Sequence, residues 1–224
     1  MSDSLCTKEA LELFNTLKPL VRNSLVAFNK QRFFDGQEIL SEIRTRLELA
    51  KSSSAISSDN YLNDLWVIDR YVDFLSKYGL TWESIIDQPF SDSWCSLQDS
   101  LDLLRLVKKF SNINIHFFED QLVELEGIYP YTVFLSIGMT VESFECSICG
   151  ADINSQECLH IRGDLYGGVM AHAIARNIVQ PNHLAMVSNP EDKRCVVSYN
   201  DELFLKYSSS ELERYFGCKV GQGL

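Results

Sequence analysis

The chain has 224 residues, of which 46% are hydrophobic and 23% charged, and it carries a formal net charge of -11. That composition excludes wholesale disorder and fits either one large domain or two small ones. The acidic balance opposes nonspecific attraction to phosphate backbones and to anionic membranes. Split at Gly127, the first part holds 13 basic and 20 acidic residues and the second 7 and 11, so averaging hides no basic arm.

The first half reads as successive amphipathic helices. Leu11, Phe14, Leu17, Val21, Leu25 and Phe28 recur at three- and four-residue intervals, which places them on one face of a helix. Pro19 interrupts that stripe and predicts a kink or break near Lys18. A second helix is expected from Asp35, where Asp35 and Glu38 resemble a capping box, with Ile39, Ile43, Leu47 and Ala50 facing the core before Lys51 to Ser54 end it. Tyr61, Leu65, Ile68, Val72 and Leu75 mark a third, closed by Gly79. After a short segment from Trp82 to Ile86 and a break at Pro89, Leu97, Leu101, Leu104 and Val107 mark a fourth. Phe118, Leu122 and Leu125 mark a fifth, with His116 at its start, and the whole forms a helical bundle.

At Gly127 the texture changes. Tyr129 to Ile137 is rich in aromatic and branched residues and reads as a strand, bounded by Gly138 and continued by Val141 to Phe144 after a turn. A short helix is expected from Gly168 to Asn177, then strands His183 to Val187 and Arg194 to Tyr199 joined by a turn at Asn189 to Asp192. A strand from Leu203 to Tyr207 and a helix from Ser209 follow. The predicted class is α+β, with a helical bundle over residues 1-127 and a small zinc-stabilised domain over 128-224.

The chemistry-bearing motif is Cys146, Cys149, Cys158 and His160, a C-x2-C-x8-C-x-H spacing with Gly150 just after the second sulfur. Four soft ligands within fifteen positions suit a tetrahedral zinc ion. Four protein ligands leave no open coordination position, so the expected site is structural rather than catalytic. The other cysteines, Cys6, Cys95, Cys195 and Cys218, are scattered, and an odd total of seven favours metal over disulfides. Cys95 and Cys195 are expected to pack as small hydrophobes.

Rival readings meet obstacles in the same residues. Around the motif Glu142, Glu145, Asp152, Glu157 and Asp164 face the single base Arg162, the wrong balance for a nucleic-acid-binding zinc protein. A RING finger needs a second cysteine pair, and 161-180 contains no cysteine. An HNH-type nuclease could use His160, Asn177 and His183, but zinc binding consumes His160. Gly163 to Gly168 lacks the lysine and hydroxyl of a P-loop. Its glycines are expected to turn the backbone away from the metal, with Tyr166 as a cover and His172 nearby but not a ligand.

The order Leu135 to Gly138, Cys146 to Gly150, Cys158 to Gly163 with Tyr166, and Ala185 to Pro190 resembles a zinc-knuckle segment of some tailed-phage head-maturation protease-like and related phage or bacterial proteins. The resemblance covers residues 131-199. In those proteases the catalytic histidine and serine lie in a preceding β-rich domain, a position that helices take here. The resemblance therefore implies a zinc-stabilised β module without proteolysis.

These readings converge on a noncatalytic adaptor or accessory subunit of a bacterial or phage complex, with a protein partner, no nucleic acid and no catalytic residues. A metal-dependent nuclease or hydrolase is one alternative, and a nucleic-acid-binding zinc protein is another. The longest apolar runs fall short of a membrane span and Met1 to Glu9 has no signal-peptide pattern, so a cytoplasmic location is expected.

Overall fold

The computed structural model describes Leu5 and residues 7-52, 58-87 and 90-197. Cys6, Cys218, the expected strand at Leu203 and the helix at Ser209 lie outside these residues. The described chain is α+β: five helices come first, then antiparallel strands around the cysteine and histidine cluster.

Helices α1 (Lys8–Asn29) and α2 (Phe33–Ser52) are followed by α3 (Asp59–Asp87), α4 (Phe90–Phe110) and α5 (His116–Ile128). The apolar stripes read from the sequence form the core. Phe14, Leu17, Leu40, Ile43, Leu47, Leu65, Ile68, Phe74 and Leu75 are all at most 3% exposed. Phe74 sits at the centre, with its ring centroid 5.2 Å from Phe118 and 6.1 Å from both Tyr71 and Tyr78. Asp64 of α3 accepts the backbone N–H of Thr7 at 2.8 Å and its hydroxyl at 2.6 Å, fixing the start of α1 against α3.

Two helix ends differ from expectation. No break occurs near Lys18, because α1 carries Pro19 in its interior and continues to Asn29. A proline inside a helix costs about 3 kcal/mol, and burial of Val21, Ala27 and Phe28 beyond it offsets that cost. Nor does Gly79 close α3, which continues through the segment from Trp82 to Ile86. The glycine serves packing instead. A methyl group at Gly79 would lie 2.6 Å from Phe28 Cζ, and one at Gly36 of α2 would overlap the same ring. The Phe28 ring is thus clasped by two glycines on neighbouring helices.

In the second half, β1 (Phe134–Cys146) pairs antiparallel with β4 (Ala173–Val187), and the two-residue strands β2 (Leu165–Tyr166) and β3 (Val169–Met170) pair between them in sequence. The turn expected at Gly138 is absent. β1 is continuous, and register shifts at Gly138/Met139 and Thr140/Val141 absorb extra residues of β4, so that Pro181 fits opposite Met139. The helix expected over Gly168 to Asn177 is also absent. Gly167 and Gly168 have φ of 55° and 81°, and Ala173 to Arg176 pair with β1 from Cys146 back to Ser143. The strand expected from Arg194 reduces to one bridge between Val196 and Phe134, and its last two residues lie outside the described ones.

The two ends of the β1/β4 ribbon meet the helices. At one end Phe134 stacks on Trp94 of α4 at 6.4 Å, and Trp94 Nε1 donates to the Lys193 carbonyl at 2.8 Å. At the other, Asn63 of α3 accepts the Gly168 N–H at 2.8 Å, and Lys109 of α4 donates to the Gly163 carbonyl. Among the described residues no helix is long and apolar enough to cross a membrane.

Candidate metal centre

Cys146 ends β1, and the chain reverses immediately. The Gly150 N–H donates to the Cys146 carbonyl at 2.9 Å, with Gly150 at a φ of 75° that only glycine adopts without strain. Cys146 N–H then donates to the Ala151 carbonyl at 2.8 Å, closing a knuckle that aims Cys146 and Cys149 inward from one turn. Residues 151-157 carry the chain round to Cys158 and His160. A second reversal follows at Gly163, which has a φ of 85° and donates its N–H to the Ala171 carbonyl at 2.7 Å.

These two turns bring the four predicted side chains together. The sulfurs of Cys146, Cys149 and Cys158 and a ring nitrogen of His160 all lie within 4.8 Å of one another. Cys149 Sγ is 3.7 Å from Cys158 Sγ, and Cys158 Sγ is 3.9 Å from His160 Nδ1. A disulfide would require sulfurs about 2.05 Å apart. A tetrahedron with metal–sulfur bonds of about 2.3 Å has edges of about 3.8 Å, so the cluster is compatible with one bound metal ion. Cys146 is 1% exposed, Cys149 is exposed, and the other two are half-buried.

Backbone groups tune the sulfurs. The N–H of Cys149, and then that of Ile148 at 3.5 Å, hold the Cys146 thiol below its ordinary value. At Cys158 the His160 backbone pulls the same way, but burial and the neighbouring Cys149 and Cys146 outweigh it and leave that thiol above its ordinary value. Three sulfurs this close accept one negative charge and resist the next. A cation among them relieves that repulsion.

Tyr166 covers the cluster, as its sequence position suggested. Its ring meets His160 edge to face at 4.8 Å, and its hydroxyl accepts the Ile161 N–H at 2.8 Å. His172 is not among the four. It is exposed, and its backbone and that of Ser147 are joined, with Ser147 N–H donating to the His172 carbonyl at 3.0 Å and Ser147 Oγ accepting the His172 N–H at 3.0 Å.

The HNH-type set does not assemble. His183 pairs with Gly138, ten residues along β4 from Ala173 at the cluster end, a separation of roughly 30 Å in an extended strand. Asn177 occupies a positive-φ position in the same strand, with φ of 52°. Cys195 is exposed and Cys95 only half-buried, so the expectation that both pack as core hydrophobes fails for Cys195. Its carbonyl accepts Leu135 N–H at 2.6 Å and its N–H donates to the Asp192 carbonyl at 3.4 Å.

Sequence reasoning missed the groups that hold this loop against the bundle. Asn63 and Lys109 lie 105 and 54 positions from their loop partners, and no local pattern could announce them. Arg176 lies beyond the acidic stretch around the motif. It forms an ion pair with Glu145 at 2.7 Å and so offsets one of the acidic residues counted around the motif. No protein-family model, curated protein or solved structure matches the chain.

Proposed function

We propose that this protein is a noncatalytic adaptor or accessory subunit in which Cys146, Cys149, Cys158 and His160 bind one zinc ion as a structural element. The convergence of four protein donors at tetrahedral spacing carries this reading. With all four positions supplied by side chains, no position is left for a substrate or an activated water. Three thiolates and a neutral imidazole give a zinc site of net charge -1, which favours neither phosphate binding nor hydrolysis of a polyanion. The role of the metal is then to hold a loop that has little core of its own. Between Cys146 and Ala173 the buried hydrophobic residues are Cys146 and Ala171.

A protein partner and a reducing, cytoplasmic setting belong to the same proposal, the latter because clustered thiols at metal-ligand spacing suit a compartment that keeps them reduced. The bacterial or phage complex implied by the zinc-knuckle resemblance belongs to it as well.

His160→Ala tests the reading, with zinc content and limited trypsin digestion followed on one sample. Zinc affinity should fall at least about 100-fold, worth about 2.7 kcal/mol. Trypsin should then cut after Arg162, while the helices stay resistant. Chelation of the wild-type protein should reproduce the same cleavage. A His160→Ala protein that keeps stoichiometric zinc and full resistance at Arg162 would defeat the structural assignment. If such a protein also lost a metal-dependent hydrolytic activity shown by the wild type, the enzyme reading would replace it.

A further inference from the structure

The β1/β4 ribbon is tied to the bundle at its ends and stands in solvent between them. All ten residues from Ala175 to Leu184 are exposed. A two-stranded ribbon alone in water is marginal, and in an antiparallel sheet with one wet face that face is normally polar. This ribbon departs from that rule. Side chains alternate along β1, so Leu135, Ile137, Met139 and Val141 share one face. The register sets Met186 opposite Leu135, Leu184 opposite Ile137 and Ile178 opposite Val141, on that same face. Ile137, Ile178, Leu184 and Met186 are 61%, 58%, 64% and 72% exposed. Ser136, Thr140 and His183 fall on the opposite face, where Thr140 and Asn182 exchange hydrogen bonds at 3.0 and 3.2 Å. An ordered apolar stripe on a free-standing ribbon is an unmade interface.

We infer that the occupant is a second copy of this chain, packed ribbon on ribbon about a two-fold axis. This goes beyond the adaptor reading and does not depend on the metal. Three observations favour a copy. First, the stripe is self-complementary, apolar against apolar, as a two-fold interface requires. Second, the exposed side chains of Ile137, Met139, Ile178, Leu184 and Met186 offer roughly 500 to 600 Å² per copy, and about 1,100 Å² in total lies at the low end for a specific interface. Third, charge selects the place. A chain of net charge -11 repels its copies, but the charged residues at the cluster end of this face, Glu145 and Arg176, neutralise each other.

Sedimentation equilibrium on the full-length, metal-loaded protein tests the proposal, with metal content and far-ultraviolet circular dichroism recorded on the same samples. Wild type should be a dimer at micromolar concentration. Leu184→Glu and, separately, Ile137→Ser should weaken association at least about 100-fold while leaving metal content and helicity unchanged. Leu49→Glu on α2, a comparably exposed leucine at 66%, should remain a dimer. A wild-type protein that is monomeric at about 100 µM, with metal bound, would overturn the inference and assign the stripe to another occupant. So would a dimer that survives both ribbon substitutions, or one that Leu49→Glu also dissociates. Failure of the metal assay alone would count against the zinc reading and leave the dimer result intact.

Discussion

Replacing Gly79 by alanine sets two opposing effects against each other at one position. In an unhindered helix interior the change gains about 1 kcal/mol, because alanine loses less backbone entropy and has the higher propensity. Here the new methyl would lie 2.6, 2.8 and 3.0 Å from three atoms of the Phe28 ring, whereas carbon atoms prefer about 3.5 to 4.0 Å. The ring has limited room to retreat, into a cavity of about 160 Å³ that it lines together with Phe33, Tyr78 and Trp82. Gly36 lies against it from α2, Phe33 stacks beside it at 6.2 Å, and Phe28 is only 5% exposed. Overpacking of this kind costs about 1 to 3 kcal/mol, and partial movement of the ring into that cavity places the cost near the middle of the range. The net expectation is a loss of about 1 kcal/mol, read as a lower urea midpoint. Gly127→Ala on α5 is the control, since a methyl there meets nothing within 4 Å, and it should be neutral or stabilising by up to about 1 kcal/mol. In a Phe28→Leu background the Gly79→Ala penalty should shrink, giving a coupling of about 1 kcal/mol or more. A Gly79→Ala protein as stable as wild type, or a penalty that persists without the Phe28 ring, would refute the clasp.

Two further predictions probe the seam between helices and strands. Arg194 bonds Asp102 at 3.0 Å and Asp99 at 3.1 Å on α4, and these carboxylates raise its pKa against the opposing effect of desolvation. Asp99 also has Lys77 and Asp102 also has Arg105, so Arg194→Met should cost only about 1 kcal/mol and less at about 1 M salt; a cost that is insensitive to salt would contradict the ion-pair account. Burial pushes the Tyr129 phenol far above its ordinary value, against a hydrogen bond with Ser93, and burial raises Tyr78 as well. A phenol whose folded pKa exceeds the unfolded value near 10 contributes stability that is complete below about pH 10 and lost as pH rises further. The urea midpoint should therefore fall above about pH 10, by up to about 1.4 kcal/mol per pH unit for each tyrosine, and Tyr129→Phe should flatten that decline while losing about 1 kcal/mol at neutral pH; an unchanged slope would show that Tyr129 does not drive it.

What the sequence disclosed follows the range of the interactions involved. The apolar stripes and the four cluster residues were legible because each depends on spacing within one or two turns of chain. Gly79 misled because the reason for it, the Phe28 ring, lies 51 positions away in α1, and locally a glycine after a helical stripe looks like a terminator. The segment Ala171 to Arg176 has the alanines of a helix, but from Ala173 onward it is drawn out as a strand. Its partners are β1 and the knuckle, and it follows two positive-φ glycines that favour a turn. Here tertiary pairing overrides local propensity. The length of β1 was hidden for a similar reason. Gly138 reads as a turn, yet it is a smooth place in a strand against which the His183 ring lies.

The metal cluster and the Trp94 cluster bear on the ribbon as a pair. From Trp94 to Lys109, α4 advances about 22 Å, whereas β1 from Phe134 to Cys146 spans about 40 Å when extended. Both ends of the ribbon are nonetheless fastened to the same helical surface, at Trp94 on one side and at Asn63 and Lys109 on the other. Register shifts fall near the middle of the ribbon, where twist and bending increase, and ten consecutive β4 residues are exposed there. A metal ion bound by the four cluster residues would act on one end of this ribbon. By holding Cys146 and the loop that docks on α3 it would secure that end against the helices. Removing the metal should therefore expose Arg162 to trypsin while the helices stay resistant, whereas substitutions on the stripe should leave metal binding untouched.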